Sequence, residues 1–211
     1  MLKKLYKLLK PFLASILELI WIGEIKGIIN IPKVGRAIIA SNHTSYFDFF
    51  IISFIGYRIK RDICFLAAKE VLALPFLKLF LRFDKQIQGI GFDRNNPGID
   101  YFRKALQYLK EKKIIALFPE GTRSSDGKLG RAKIGFIKLA LESKTSIVPM
   151  GIQGTFEVLP KYKKIPKIKK CNVSIGKPIN LSAYYNQDLQ REDFQKIADD
   201  IMREVETLLE L

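Results

Sequence analysis

The sequence predicts an α/β fold, with a mostly parallel, mixed central sheet flanked by helices and preceded by one N-terminal amphipathic helix. Three observations predict it. Short runs rich in Ile, Val and Ala alternate with segments of helical period, the signature of a sheet covered by helices. No internal repeat and no Gly/Ser/Pro linker divides the chain. Its 211 residues, 48% of them hydrophobic, suffice for one sizeable core and exclude a disordered chain.

The first element spans residues 1–24. Leu2, Leu5, Leu9, Phe12, Leu13, Ile16, Ile20 and Trp21 recur every three or four positions, whereas Lys3, Lys4, Lys7 and Lys10 take other faces. Glu18 interrupts the apolar run before it reaches the length of a membrane span. The same glutamate, and the lack of a small-residue cleavage site, argue against a signal peptide. A lysine-bearing helix with aromatic residues on its apolar face fits the membrane interface. One α/β domain follows over residues 25–211. Strands are expected at 25–29, 37–41, 63–67, 87–90, 114–118, 146–152 and 172–175. Helices are expected at 46–55, 71–81, 98–110, 133–142 and 191–209. The last pairs an apolar stripe (Phe194, Ile197, Ile201, Val205, Leu208) with a solvated acidic face.

Charge narrows the partners. Lys and Arg number 36 against 21 Asp and Glu, a net +15, which points to a polyanion: nucleic acid, an anionic membrane or an acidic protein. The distribution is uneven, since from Asp188 onward eight acidic residues face three basic ones, leaving +20 on residues 1–187. The opposite extreme is the run from Lys161 to Lys170, with six lysines in ten residues, either a solvated loop or a patch facing an anion. Cys64 and Cys171 form no CxxC pattern, so neither a disulfide framework nor a zinc site is expected. His43 is the single histidine. Metal sites built on several histidines are thereby excluded, and His43 is the one side chain whose unperturbed pKa lies near neutrality.

In parallel α/β sheets the chemistry sits beyond the carboxyl ends of the strands, so three loops matter. Asn42-His43-Thr44-Ser45-Tyr46-Phe47-Asp48 follows the apolar run 37–41. A turn that brings Asp48 to the Nδ1–H of His43 leaves Nε2 to take a proton from a hydroxyl. Ser45-x-x-Asp48 is equally a helix capping box, and the spacing leaves both readings open. Pro119-Glu120-Gly121-Thr122-Arg123-Ser124 follows 114–118, and Arg123 offers a planar fork suited to phosphate. Gly89-Ile90-Gly91-Phe92-Asp93-Arg94 brings a second arginine, or a surface charge paired with Asp93.

Taken together, Asn-His-Thr-Ser-x-x-Asp at 42–48 and Phe-Pro-Glu-Gly-Thr-Arg-Ser at 118–124 resemble the signature blocks of the glycerolipid acyltransferases. The nearest type is the bacterial 1-acylglycerol-3-phosphate (lysophosphatidic acid) acyltransferase. Gly91-Phe92-Asp93-Arg94 is similar to the family's second block and Ile147-Val148-Pro149-Met150 to its fourth, with Lys133-x-Gly135 after the third. The likeness spans about residues 36–155. Two departures concern the acceptor pocket: Gly91 replaces a bulky apolar residue, and Ala132 stands where an aromatic often precedes the lysine.

The resemblance implies acyl transfer from an acyl thioester, of acyl carrier protein or coenzyme A, to the free hydroxyl of lysophosphatidic acid. It implies His43 as general base oriented by Asp48, no acyl-enzyme, and no cofactor beyond the thioester substrate. Arg94, Arg123 and Lys69 would hold the acceptor phosphate. Glu120, Gly121 and Thr122 would shape its site, with backbone N–H groups near Gly121 as oxyanion donors. Ser45 as nucleophile lacks a G-x-S-x-G elbow. The implied location is the cytoplasmic face of the inner membrane, held peripherally by an anionic surface, with the apolar 71–83 segment touching lipid or core. A nucleic-acid-binding module would explain the charge, but no helix-turn-helix, RNP or zinc-finger pattern accompanies it. A silent lipid-binding protein would not need His43 and Asp48. Within the enzyme class, glycerol 3-phosphate or another lysophospholipid is the alternative acceptor.

Overall fold

The computed structural model describes residues 2–84, 86–93 and 98–211. Seven strands form one sheet: β1 (Ile22–Lys26), β2 (Ala37–Ser41), β3 (Ile63–Ala68), β4 (Ile87–Phe92), β5 (Ile114–Leu117), β6 (Ile147–Gln153) and β7 (Cys171–Ile175). Their order is β1-β7-β6-β2-β5-β3-β4. Every neighbouring pair is parallel except β6 and β7. The sheet is thus mostly parallel and mixed, as the sequence predicts. Its central strands are buried on both faces, which explains why they read as continuous apolar runs.

Alternation along those strands builds two cores. Ile39, Phe65, Ile114, Ala116 and Val148 face one side, where α2 (Phe47–Arg58) packs with α4 (Pro75–Phe83) and part of α1 (Leu2–Trp21). Ile38, Ala40, Cys64, Ile115 and Leu117 face the other, under α5 (Asp100–Lys110), α6 (Gly135–Glu142) and α8 (Arg191–Leu209). α2 is apolar nearly all round and, apart from half-buried Phe50, buried from Phe47 to Gly56, which its position between sheet and neighbours requires.

Three elements differ from expectation. The predicted 71–81 helix is two: α3 (Lys69–Leu72) and α4, because Pro75 at the first turn of α4 forces Leu74 into an extended conformation (ψ 133°). β1 begins at Ile22, so the first helix ends at Trp21, and Gly27 at φ 68° turns the chain into a short 3-10 turn where 25–29 was expected as strand. A Cβ at Gly27 would fall 2.1 Å from the Ile175 carbonyl oxygen, so only glycine fits. A one-turn helix, α7 (Thr155–Val158), follows β6 and has no period long enough to read from sequence.

α1 shows why a single apolar face was an incomplete description. Tyr6 stacks on Phe83, and Lys10 reaches the buried Asp84 at 2.9 Å. Ala14, Leu17 and Trp21 join the core. That stripe is consumed by the body of the protein, yet Leu5, Leu8, Leu9, Phe12, Leu13 and Leu19 stay exposed on the remaining surface.

Candidate active site

Parallel β2, β3, β4, β5 and β6 end on one rim, which gathers the loops that follow them. Each residue after β2 is fixed by a different neighbour. The Asn42 amide donates to the Ile152 carbonyl (2.9 Å) and its Oδ1 accepts from the Ile152 N–H (2.8 Å), so a buried side chain continues the β2–β6 ladder by one rung. Thr44 and Thr155 share a hydroxyl contact of 2.9 Å, and the Ser45 hydroxyl donates to the Leu159 carbonyl at 2.7 Å. Ser45 is therefore tied down as an anchor.

His43 is held by both of its backbone groups. Its N–H donates to Glu120 Oε1 (2.7 Å), and its carbonyl accepts from the Ser124 N–H (2.8 Å). The imidazole lies flat on Phe118, ring centres 3.9 Å apart and planes within 9°. Nδ1 sits 2.8 Å from Asp48 Oδ2. A carboxylate only accepts, so Nδ1 carries the proton and Nε2 of the neutral ring holds a lone pair. Asp48 is fully buried, and its Oδ2 also takes the N–H groups of Thr44 and Ser45, each at 2.9 Å. The two readings of Asp48, helix cap and histidine partner, thus hold together on one oxygen. Oδ1 has no hydrogen-bond partner among the described residues.

Both Glu120 oxygens are engaged by backbone N–H groups. The second oxygen accepts the Gly130 N–H at 2.8 Å, so the carboxylate bridges the backbones of His43 and Gly130. Burial raises its pKa above the ordinary 4.5, and the two N–H donors only partly oppose this. The folded chain then keeps the Glu120 proton where the unfolded chain has lost it. Stability from this group is full below pH 4.5 and falls as pH rises through the folded value. Glu120→Gln should remove that slope, which urea midpoints measured from about pH 4 to about pH 7 will show.

Gly121 takes φ 71°, and its N–H donates to the Phe118 carbonyl at 3.0 Å, closing a turn. That donor is engaged within the turn. The missing Cβ leaves room for Lys133, whose Nζ would lie 3.1 Å from it. Lys133 gained no role from the sequence beyond its place in a motif; the αL glycine opposite is the signal that marks it. Arg123 lies over the Tyr46 ring at 3.6 Å and donates to the Lys161 carbonyl at 3.3 Å. Among the described residues it makes no ion pair. Thr122 is exposed beside it. Lys69 opens α3, its stem running along β4, where a Cβ on Gly91 would fall 2.9 Å from Lys69 Cγ. The departure at Gly91 is thereby explained as space for the lysine. Arg94 lies outside the described residues.

An apolar cavity of about 230 Å³ has His43 in its lining. Tyr46, Gly121 and Lys133 stand with His43 among its lining residues, as do Phe65, Phe102, Ala105 and Leu139. Among the described residues no group of His, Cys, Asp and Glu has the arrangement of a metal site.

Residues 23–153 match the model of the family described as Acyltransferase. The chain is 38% identical over 168 residues to a 1-acyl-sn-glycerol-3-phosphate acyltransferase of Limnanthes alba, covering 73% of this chain and 57% of that one. A Bacillus subtilis protein of the same name is 29% identical over 151 residues, 72% of this chain and 70% of that one. The chain spans little more than half the length of the two Limnanthes relatives. A crystal structure of the 1-acyl-sn-glycerophosphate (LPA) acyltransferase from Thermotoga maritima superimposes with a TM-score of 0.66 at 26% identity, over 89% of this chain and 72% of that one. With the matched segment containing both the His43–Asp48 pair and the loop that holds it, the chain belongs to the Acyltransferase family.

Proposed function

We propose that this chain transfers a fatty acyl group from a thioester of coenzyme A or acyl carrier protein to the sn-2 hydroxyl of lysophosphatidic acid, giving phosphatidic acid. The observation that carries the reading is the His43–Asp48 pair, its imidazole lining an apolar cavity. Nε2 takes the hydroxyl proton as the oxygen attacks the thioester carbonyl. The tetrahedral intermediate expels the thiolate, which receives that proton from the imidazolium, so no acyl-enzyme forms. Asp48 holds the tautomer and stabilises the imidazolium. The cavity suits the acyl chain, and Arg123, Lys133, Lys69 and Arg94 are the cations for the acceptor phosphate.

The substrates require access to a bilayer. Among the described residues no helix is long and apolar enough to cross one, but α1 leaves leucines and Phe12 exposed. We assign residues 1–24 as the interfacial segment and 25–211 as the catalytic domain, although β1 already starts within the former. We place its attachment, as a peripheral one, at the cytoplasmic face of the inner membrane.

Purified protein incubated with an acyl thioester and lysophosphatidic acid should release thiol and form phosphatidic acid. Thiol release with glycerol 3-phosphate but not with lysophosphatidic acid would overturn the acceptor. Arg123→Ala should raise the acceptor KM about tenfold or more, with a smaller effect on kcat, because the lost contact is made before the chemical step. An unchanged KM would remove Arg123 from the phosphate site.

A further inference from the structure

The Lys161–Lys170 segment is tied to the body of the protein and interleaves exposed apolar side chains with its lysines. Its ends are fastened from within. The Lys161 carbonyl accepts from Arg123, and the Lys167 N–H donates to the Val158 carbonyl at 2.8 Å. The Lys167 carbonyl accepts from Trp21 Nε1 at 2.9 Å. Lys169 pairs with Glu157, and Lys170 caps the end of α1 by donating to the carbonyls of Leu19 and Ile22. Lys161, Lys163, Lys164 and Lys167 make no ion pair among the described residues. Between them Tyr162, Ile165 and Ile168 are 80%, 82% and 81% exposed, an arrangement that water alone does not favour.

Topology places this loop at the active rim. β7 runs antiparallel to β6 with Asn172 opposite Gln153, and Ile22 of β1 is level with Cys171. The start of β7, the end of α1 and the carboxyl ends of the parallel strands therefore share one edge. Exposed Leu19 lies on the helix end that Lys170 caps, so the loop extends the unpartnered surface of α1 toward Arg123.

We propose that residues 161–170 are a second membrane-contacting element, inserting Tyr162, Ile165 and Ile168 among the headgroups of an anionic bilayer while four lysines face lipid phosphates; it deepens the lipid-acceptor reading above and rests on it. Apolar side chains interleaved with unpaired ammonium groups are complementary to an anionic interface. The loop then seats the mouth of the site against the leaflet that supplies the acceptor, and Arg123 connects the two.

An environment-sensitive fluorophore on Ile168→Cys, with Phe12→Cys as companion, tests this. Native Cys64 and Cys171 are buried, their thiols pushed up to about 12, so labelling is confined to the introduced residue. The label at 168 should shift to the blue on phosphatidylglycerol–phosphatidylcholine vesicles and lose the shift in high salt. Ile165→Ser with Ile168→Ser should lower partition onto those vesicles about tenfold. A shift at 12 without one at 168 would overturn the loop's role and leave α1 as the anchor. A shift at 168 with acidic carrier protein but not with vesicles would overturn it in favour of protein docking. Phosphatidic acid formation measured on the same wild-type preparation reports separately whether the acyltransferase reading stands.

Discussion

His43→Ala should cut thiol release by about 10²–10⁴-fold, the usual contribution of a positioned general base, with little change in stability. The ring is anchored through Nδ1 and stacked on Phe118, so its removal strips the reaction of a proton acceptor and leaves the backbone contacts to Glu120 and Ser124 in place. Asp48→Asn should produce a loss in kcat of similar size by a different route. An asparagine oxygen can replace Oδ2, and the amide then takes the place of Oδ1, where Asp48 makes no hydrogen bond among the described residues, but the imidazolium loses its counter-charge. Asp48→Ala should in addition destabilise the fold, because the Thr44 and Ser45 N–H groups lose their acceptor. Initial rates paired with urea unfolding separate the two effects. Thiol release that persists unchanged in His43→Ala would end the mechanism.

Glu120→Ala should cost about 2–4 kcal/mol of unfolding free energy and most of the activity. Two part-buried N–H groups lose their acceptor, each bond worth about 1–3 kcal/mol, and relief of burying the carboxylate returns part of this. The activity loss arises because His43 is then held by only one of its backbone groups. If the variant kept full stability, the bridge between the 43 and 130 backbones would be dispensable and Glu120 would have to act on substrate instead.

Much of this was legible in the sequence, for identifiable reasons. Strands buried on both faces read as apolar runs, and α8 read correctly to the residue because its stripe and acidic face are both strong. The His43–Asp48 contact was legible as one of two alternatives, since spacing alone cannot say that a single oxygen serves both. Tertiary effects were not legible. Pro75 splits a continuous apolar segment, Lys10 turns inward to Asp84, and Glu120 faces two backbone amides that are remote in sequence. The anchoring of Asn42, Thr44 and Ser45 on β6 and α7 also escapes local reading, because it depends on strand order.

The sharing of Asp48 Oδ2 has a consequence for the life of the chain before it is fully folded. The atom that organises the first turn of α2 is the one that aims the imidazole. A nascent or thermally loosened copy without that turn has a histidine free to rotate and no oriented lone pair. Forming that turn and orienting the imidazole are therefore one folding event, centred on one carboxylate.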